Sequence, residues 1–377
     1  MTVARVRSLT ADRRTVKTIP VVASLVRHRT LLLALGLAAC TSPSRAPAPV
    51  TGATFANPIV RSRAAGDPWV VRDDGYYYFT ATLAPDSGLW VWRSRTLTGL
   101  DSGEKVKVWT APAAGPTSRQ IWAPELHRIG DRWYLYFTAS DGVDDHHRHW
   151  VLVSRTADPL GSYDAPVRVD PAFEHYAIDG SLLRTRDGRL WFMYCAGGIY
   201  VAPMDSPTHV SGPGARILAG REPWEHGWRL TSGHWTQDPG YWVEAPEALY
   251  HAGRTFVSYS AGHTATPHYY LGLLELVGPN PLDSASWRRW PSPIFSPYEG
   301  PDGAVYTPGH NSFTTSPDGR EDWIVYHAKD GGPDSTGGND RSPRTVRAQR
   351  FTWNADGTPS LGTPVPSGVR LRKPSGE

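Results

Sequence analysis

The 377-residue chain sets 39 Lys and Arg against 36 Asp and Glu, a formal charge of +3 at pH 7. Seven of those cations fall in residues 1–39 beside a single acid, Asp12, so residues 40–377 keep 32 basic and 35 acidic side chains, net −3. A mildly acidic body with scattered cations excludes the electrostatic footprint of a nucleic-acid binder, and two cysteines exclude a disulfide framework.

The amino terminus runs from basic residues into the apolar stretch Leu31–Ala39, which is too short to span a bilayer and has signal-peptide character. Residues 1–39 are therefore read as a signal and residues 40–54, rich in Pro, Ser and Ala, as a flexible tether. The Leu37-Ala38-Ala39-Cys40 box resembles a bacterial lipoprotein signal. That resemblance implies cleavage before Cys40, lipidation of its thiol and display on the outer face of the membrane; an ordinary signal would instead give a secreted protein. A twin-arginine route through Arg13-Arg14, or a later translation start, would account for the long basic lead. With Cys40 lipidated, Cys195 in the run LWFMYCA is expected to be a small buried hydrophobe.

From residue 55 onward the same pattern recurs five times: a short run, a glycine-bearing turn, then an aromatic and β-branched strand. The copies are DPWVVRDDGYYYFTAT, WAPELHRIGDRWYLYFTAS, DGSLLRTRDGRLWFMYCA, EAPEALYHAGRTFVSYSA and HNSFTTSPDGREDWIVYHA, with turn glycines Gly75, Gly130, Gly188, Gly253 and Gly319 every 55 to 66 residues. No segment sustains a 3.6-residue apolar period, and further strand runs such as LWVWRS, HWVLVSRT and YYLGLLEL fill the gaps. The expected fold is all-β, a five-bladed β-propeller occupying residues 55–377 as one domain. Ring closure is assigned to Phe55–Arg63 and Val346–Arg370, completing one blade together.

Aligned on their turns, the five copies open with Asp67, Trp122, Asp179, Glu244 and His310. Equivalent positions on successive blades lie on a ring about the axis, so these residues are expected to face one funnel. Asp67 in Gly-Asp-Pro-Trp and Asp179 before Gly-Ser would each pass for a turn former alone; their shared register is what makes them candidates. Glu125 and Glu247 match one another in the APE of two blades and read as a structural pair. Trp122 is assigned to the pocket wall, where an indole face stacks on sugar. The cluster Asp144–His149 (DDHHRH) reads as an exposed loop rather than a metal site, and His327 as packed. Two acids held across a pocket are the equipment of a glycosidase.

The segments GDPWVV, WAPELH, AIDGSLL, VEAPEALY and PGHNSFTTSPDGREDWIVYHA, in that order and at blade spacing, resemble glycoside hydrolase family 43 from Asn57 to the end. The resemblance implies Asp67 as general base, Glu244 as general acid, and Asp179 as the residue that tunes and orients the acid. It implies substrate contacts from Trp122, His310 and Arg347, the last being a final-blade arginine that reaches the site. No cofactor is required, although the same resemblance implies a hydrated cation, a calcium, near His310 in the axial channel. The implied reaction is inverting release of terminal α-L-arabinofuranosyl residues from plant arabinan or arabinoxylan by a monomer. Endo-arabinanase and β-xylosidase action stay open, as does, in another class, a non-catalytic sugar-binding propeller.

Overall fold

The computed structural model describes residues 52–83, 88–170, 173–231, 234–264, 266–331 and 343–377, with backbone alone over 228–239. The signal segment, Cys40 and most of the tether lie outside these residues. Among the described residues the regular structure is strand and short 3-10 turn.

Five antiparallel sheets follow one another along the chain. The first comprises Ala65–Asp73, Tyr76–Leu83, Gly88–Ser94 and Glu104–Thr110; the second Arg119–Ile129, Arg132–Ser140, Arg148–Val153 and Val167–Arg168. Ile178–Arg184, Leu190–Cys195 and Ile199–Ser206 form the third, with His209–Val210 and Ala215–Leu218 both pairing on its last strand. The fourth holds Val243–His251, Arg254–Gly262, Tyr269–Leu276 and Trp287–Arg289. Tyr298–Gly300, Gly303–Thr315, Asp322–Lys329, Thr345–Trp353 and Pro359–Ser360 make the fifth. A separate hairpin, His226–Thr231 with His234–Tyr241, is inserted between blades three and four.

The turns explain the repeat. At Asp74-Gly75 (φ 45° and 75°) and Ala252-Gly253 (φ 46° and 73°) both central residues are left-handed, the backbone twist that suits a two-residue hairpin. Alternating side chains then bury both faces of each sheet, and five apolar clusters form, one at each blade interface. Tyr78, Leu89 and Val91 of blade one meet Leu126, Trp133 and Phe137 of blade two, and Tyr136 and Val151 meet Leu182 and Phe192 of blade three. Blade three joins blade four through Met193, Val201, Val257 and Leu274, and blade four joins blade five through Phe256, Leu273, Ile324 and Tyr326.

The fifth interface closes the ring. Trp323, Val325, Val346 and Ala348 of blade five pack on Val70, Phe79 and Trp92 of blade one, with Phe55, Ile59 and Val60 filling between them. The closure differs from the expectation. Thr54–Ala56 pairs with Arg370–Arg372 as its own two-stranded sheet, and the amino-terminal run adds no strand to blade five, only the isolated bridge Val60 to Val346 and the hydrogen bonds of Asn57 with Ala348. Blade five is complete without it, so the chain ends clasp the ring instead of sharing a blade; Glu377 reaches blade one, accepting from the Leu97 amide at 2.6 Å.

Candidate active site

Each innermost strand carries a β-bulge in which two residues oppose one on its neighbour. The pairs are Asp67-Pro68 against Ala81, Ala123-Pro124 against Phe137, Asp179-Gly180 against Tyr194, Ala245-Pro246 against Tyr259 and His310-Asn311 against Tyr326. The first residue of every pair is left-handed: φ is 53° at Asp67, 43° at Ala123, 55° at Asp179, 54° at Ala245 and 44° at His310. Non-glycine residues held there cost about 1–2 kcal/mol each, and bulges re-aim side chains next to active sites.

This corrects the alignment drawn from the turns. Asp67, Asp179 and His310 share the bulge position, but Glu244 and Trp122 stand one residue earlier, at the last regular ladder pair before it. Alanine fills the bulge in blades two and four.

The bulge amides form a second cycle. Each points at the preceding blade: Ala123 N–H donates to Thr82 Oγ1 (2.8 Å), Asp179 N–H to Thr138 Oγ1 (3.2 Å), His310 N–H to Ser260 Oγ (2.8 Å) and Asp67 N–H to His327 Nδ1 (3.1 Å). Blade three places Cys195 where its sisters place Thr82, Thr138, Ser260 and His327. Its thiol donates to the Val243 carbonyl at 3.0 Å, and the Ala245 amide turns to Asp179 Oδ2 at 3.1 Å. That exception ties the Asp179 carboxylate to the strand bearing Glu244.

The three acids are 8%, 7% and 5% exposed at Asp67, Asp179 and Glu244, enough for the oxygens to meet a ligand and little more. Their electrostatic settings differ. Burial alone would raise Asp67, but Arg344, whose Nη1 donates to Oδ1 at 2.6 Å, and His310, with Nδ1 at 3.1 Å from the same oxygen, hold it well below the usual carboxylate range. Burial pushes Asp179 up; His310 opposes, the charges of Glu244 and Asp67 add to the rise, and the carboxyl reaches about 7. His310 feels all three acids: burial lowers it, yet Asp67, Asp179 and Glu244 lift it to about 9, so an imidazolium stands among them. Glu244 accepts on both oxygens, from Tyr269 Oη on Oε1 at 2.7 Å and from Trp242 Nε1 on Oε2 at 2.6 Å.

His327 lies 3.4 Å from Asp67 Oδ1 through Nδ1, but that nitrogen already accepts the Asp67 amide, so the ring is neutral and the contact is no ion pair. Burial pushes it down to about 3, and it stacks on Tyr269 at 5.5 Å. It is packed, as expected, but packed between the supports of two site acids.

Trp122 is half-buried and stacks on His147 at 4.3 Å, which meets Tyr176 edge-on at 5.5 Å; Tyr176 in turn feels the charges of Asp179 and Glu244. This aromatic wall corrects the reading of DDHHRH as wholly exposed. Only its Asp144–His146 turn is open to solvent, while His147 is buried and His149 is buried against Asp170 at 2.6 Å.

Arg347 does not reach the site. Its guanidinium is buried beside Tyr326 and pairs with Asp330 at 2.6 Å. Arg344, three residues earlier at the mouth of the same strand, contacts Asp67, and its side chain crosses Gly66 so closely that a Cβ there would sit 2.1 Å from the guanidinium carbon. Besides Arg344, the sequence reading missed Tyr269 and Trp242. Trp242 had a signal in its i, i+2 spacing to Glu244; Tyr269 opens the run YYLGLLEL, which gives no sign that its hydroxyl crosses to the inner strand.

His310 Nδ1 is engaged by Asp67 Oδ1 at 3.1 Å, so a hydrated cation near His310 would be met through Nε2 or through water. Among the described residues no three His, Cys, Asp or Glu side chains are grouped to hold a metal.

Residues 55–359 match the family model described as Glycosyl hydrolases family 43. The chain belongs to family 43. It is 35% identical over 354 residues to the extracellular exo-α-(1→5)-L-arabinofuranosidase of Streptomyces avermitilis, covering 90% of this chain and 70% of that one. It is 37% identical to the enzyme of the same name from Streptomyces chartreusis, over 76% of this chain and 86% of the relative. A solved structure, the α-L-arabinofuranosidase from Lactobacillus brevis, superposes with a TM-score of 0.73 at 29% identity over 84% of this chain and 98% of that one. Membership makes the chain a glycosidase, and the bulge ring is where its acids converge.

Proposed function

We propose that the protein releases terminal α-L-arabinofuranosyl residues from arabinan or arabinoxylan with inversion of configuration. The observation that carries this reading is the convergence of three buried carboxylates on His310, each in a different electrostatic setting. The names of the Streptomyces and Lactobacillus relatives supply the sugar.

Asp67, ionised across the working pH range by Arg344 and His310, takes a proton from a water as its oxygen attacks the anomeric carbon. Glu244 gives a proton to the glycosidic oxygen as that bond breaks. Burial and the charges of Glu244 and Asp67 push Asp179 up to about 7, so this carboxyl beside the acid keeps a proton near neutrality. The aromatic wall of Trp122, His147 and Tyr176 supplies an apolar surface for the sugar. Inversion requires the base and acid on opposite faces, about 6.5–9.5 Å apart with a water between; retention requires about 5–5.5 Å. Proton NMR in the first minutes of hydrolysis, before mutarotation, should show the anomer opposite to the substrate's, and a retained anomer would overturn the roles given to Asp67 and Glu244.

Export accords with the extracellular naming of the relatives. The anchor is read from Leu37-Ala38-Ala39-Cys40. Mass spectrometry of the membrane fraction should find a lipidated amino-terminal Cys40, and a soluble, unmodified product cut elsewhere would refute the anchor.

A further inference from the structure

Trp242 occupies an unusual place. It is the residue between the inserted hairpin, which ends at Tyr241, and the innermost strand of blade four, which begins at Val243. Its backbone is fixed on both sides: its amide donates to the Glu225 carbonyl at 2.8 Å, and its carbonyl accepts from the Gly262 amide at 3.1 Å. Its indole leans edge-on against His263 at 5.4 Å. The residue is nonetheless 40% exposed. A large aromatic held this firmly and left this open is aimed at something, and its N–H points at Glu244 Oε2.

The two donors on Glu244 are not equivalent. Tyr269 is fully buried and pinned by His327, so its bond to Oε1 is part of the packed core. Trp242 stands at the solvent side and holds Oε2. An indole N–H can only donate, so it occupies one lone pair of Oε2, leaves the other for the catalytic proton, and fixes the plane of the carboxyl. A hydrogen bond of this kind is stronger to the ionised acid than to the neutral one, which lets the proton leave.

We propose that Trp242 is a positioning residue: its indole N–H fixes the carboxyl plane of Glu244, so that the proton is delivered in line to the glycosidic oxygen of a leaving sugar. This rests on Glu244 being the general acid. Its consequence is specific to substrates that need protonation. A sugar leaving group requires it, whereas an aryl leaving group of low pKa departs with little help.

The test compares Trp242→Phe, which keeps a ring of similar bulk and loses the N–H, with Glu244→Ala and wild type, each on an arabino-oligosaccharide and on a dinitrophenyl α-L-arabinofuranoside. Trp242→Phe should lose about tenfold to a hundredfold in kcat on the oligosaccharide, a part of what general acid catalysis contributes, with KM nearly unchanged and the aryl substrate within about twofold. The alkaline limb of its pH–rate profile should move upward, because the ionised acid has lost a donor. The groups facing Glu244 that also shape that limb are Asp179, Tyr176 and Cys195 from blade three and its loop, Tyr269 and His263 from blade four, and His310 from blade five. Trp242→His, which can restore an N–H, should recover part of the loss. Equal losses on both substrates, or an unmoved limb, would overturn the proposal. If Glu244→Ala itself shows no preference for the aryl substrate, the acid assignment fails; if Glu244→Ala discriminates and Trp242→Phe does not, the failure is that of Trp242 alone.

Discussion

Two rings of polar residues line the axis, one at the bulges and one a step deeper, and they treat buried charge in opposite ways. The upper ring sets Asp67, Asp179 and Glu244 against His310 and Arg344. Two residues past each bulge the lower ring holds Trp69, Glu125, Ser181, Glu247 and Ser312. There Ser181 Oγ reaches Glu247 Oε2 at 3.4 Å, and Glu125 pairs with His127 at 2.8 Å. Burial pushes both glutamates up, and for Glu247 the charge of Glu125 adds to the rise. The same residue types, on the same strands, meet His310 and Arg344 above, whereas below burial and the charge of Glu125 favour the neutral form of Glu247.

The largest way to break this comparison is to neutralise one acid in each ring. Asp67→Asn should lower kcat on every arabinofuranoside by about a thousandfold or more, in line with removal of a general base, while Glu247→Gln should leave kcat within about twofold. Steady-state rates on an aryl arabinofuranoside read both. Comparable losses in the two variants would mean that the lower ring takes part in the chemistry, and near-wild-type activity of Asp67→Asn would remove it from the base role.

A smaller effect probes how the upper ring shares its proton. In blade three Cys195 replaces the hydroxyl or imidazole that elsewhere accepts the next bulge amide, which hands the Ala245 N–H to Asp179. Cys195→Ser should compete for that N–H. Asp179 would then hold its proton more tightly, so the alkaline limb should shift upward by a few tenths of a pH unit. Asp179→Asn should move the limb the other way, by removing the charge that keeps the pair protonated. Cys195→Ala offers no acceptor and should leave the limb in place; a shift there equal to that of the serine variant would show a packing effect only.

Much of this was legible in the sequence because it repeats. Five glycine turns at blade spacing gave the propeller, and the opening residues brought Asp67, Asp179, Glu244 and His310 to one place. The register was less legible. Aligning on turns hides a bulge that counts two residues as one, so Glu244 and Trp122 were set level with Asp179 although they precede the bulge. Arg344 and Arg347 differ by three positions on one segment, and sequence cannot say that only the one before the strand clears Gly66 to meet Asp67. Tyr269 and His327 lie on strands further out in their blades and act by reaching inward, a contact that no period of two or 3.6 residues encodes. Glu125 and Glu247 were read as a structural pair, and their shared APE motif does place them in equivalent positions.

The smallest effect concerns stability in the lower ring. Glu247 is 6% exposed and its proton affinity is raised by burial and by Glu125. An acid whose pKa is higher in the folded than in the unfolded state binds its proton better when folded, so stability falls as pH rises from the unfolded value, about 4.3, toward the folded one. Glu247→Gln keeps the shape, has no charge to bury, and should remove this loss. Near pH 7–8 the variant should be more stable by about 1 kcal/mol, since one pKa unit is worth about 1.4 kcal/mol, a midpoint about 2 °C higher; below about pH 4 the advantage should vanish. Glu125→Gln should gain less, because the hydrogen bond to His127 opposes the rise at Glu125. Thermal melts of the three proteins from pH 4 to 8 decide it: a Glu247→Gln variant less stable than wild type at pH 8, or an advantage independent of pH, would show that Glu247 is ionised in the fold and that the two rings handle charge alike.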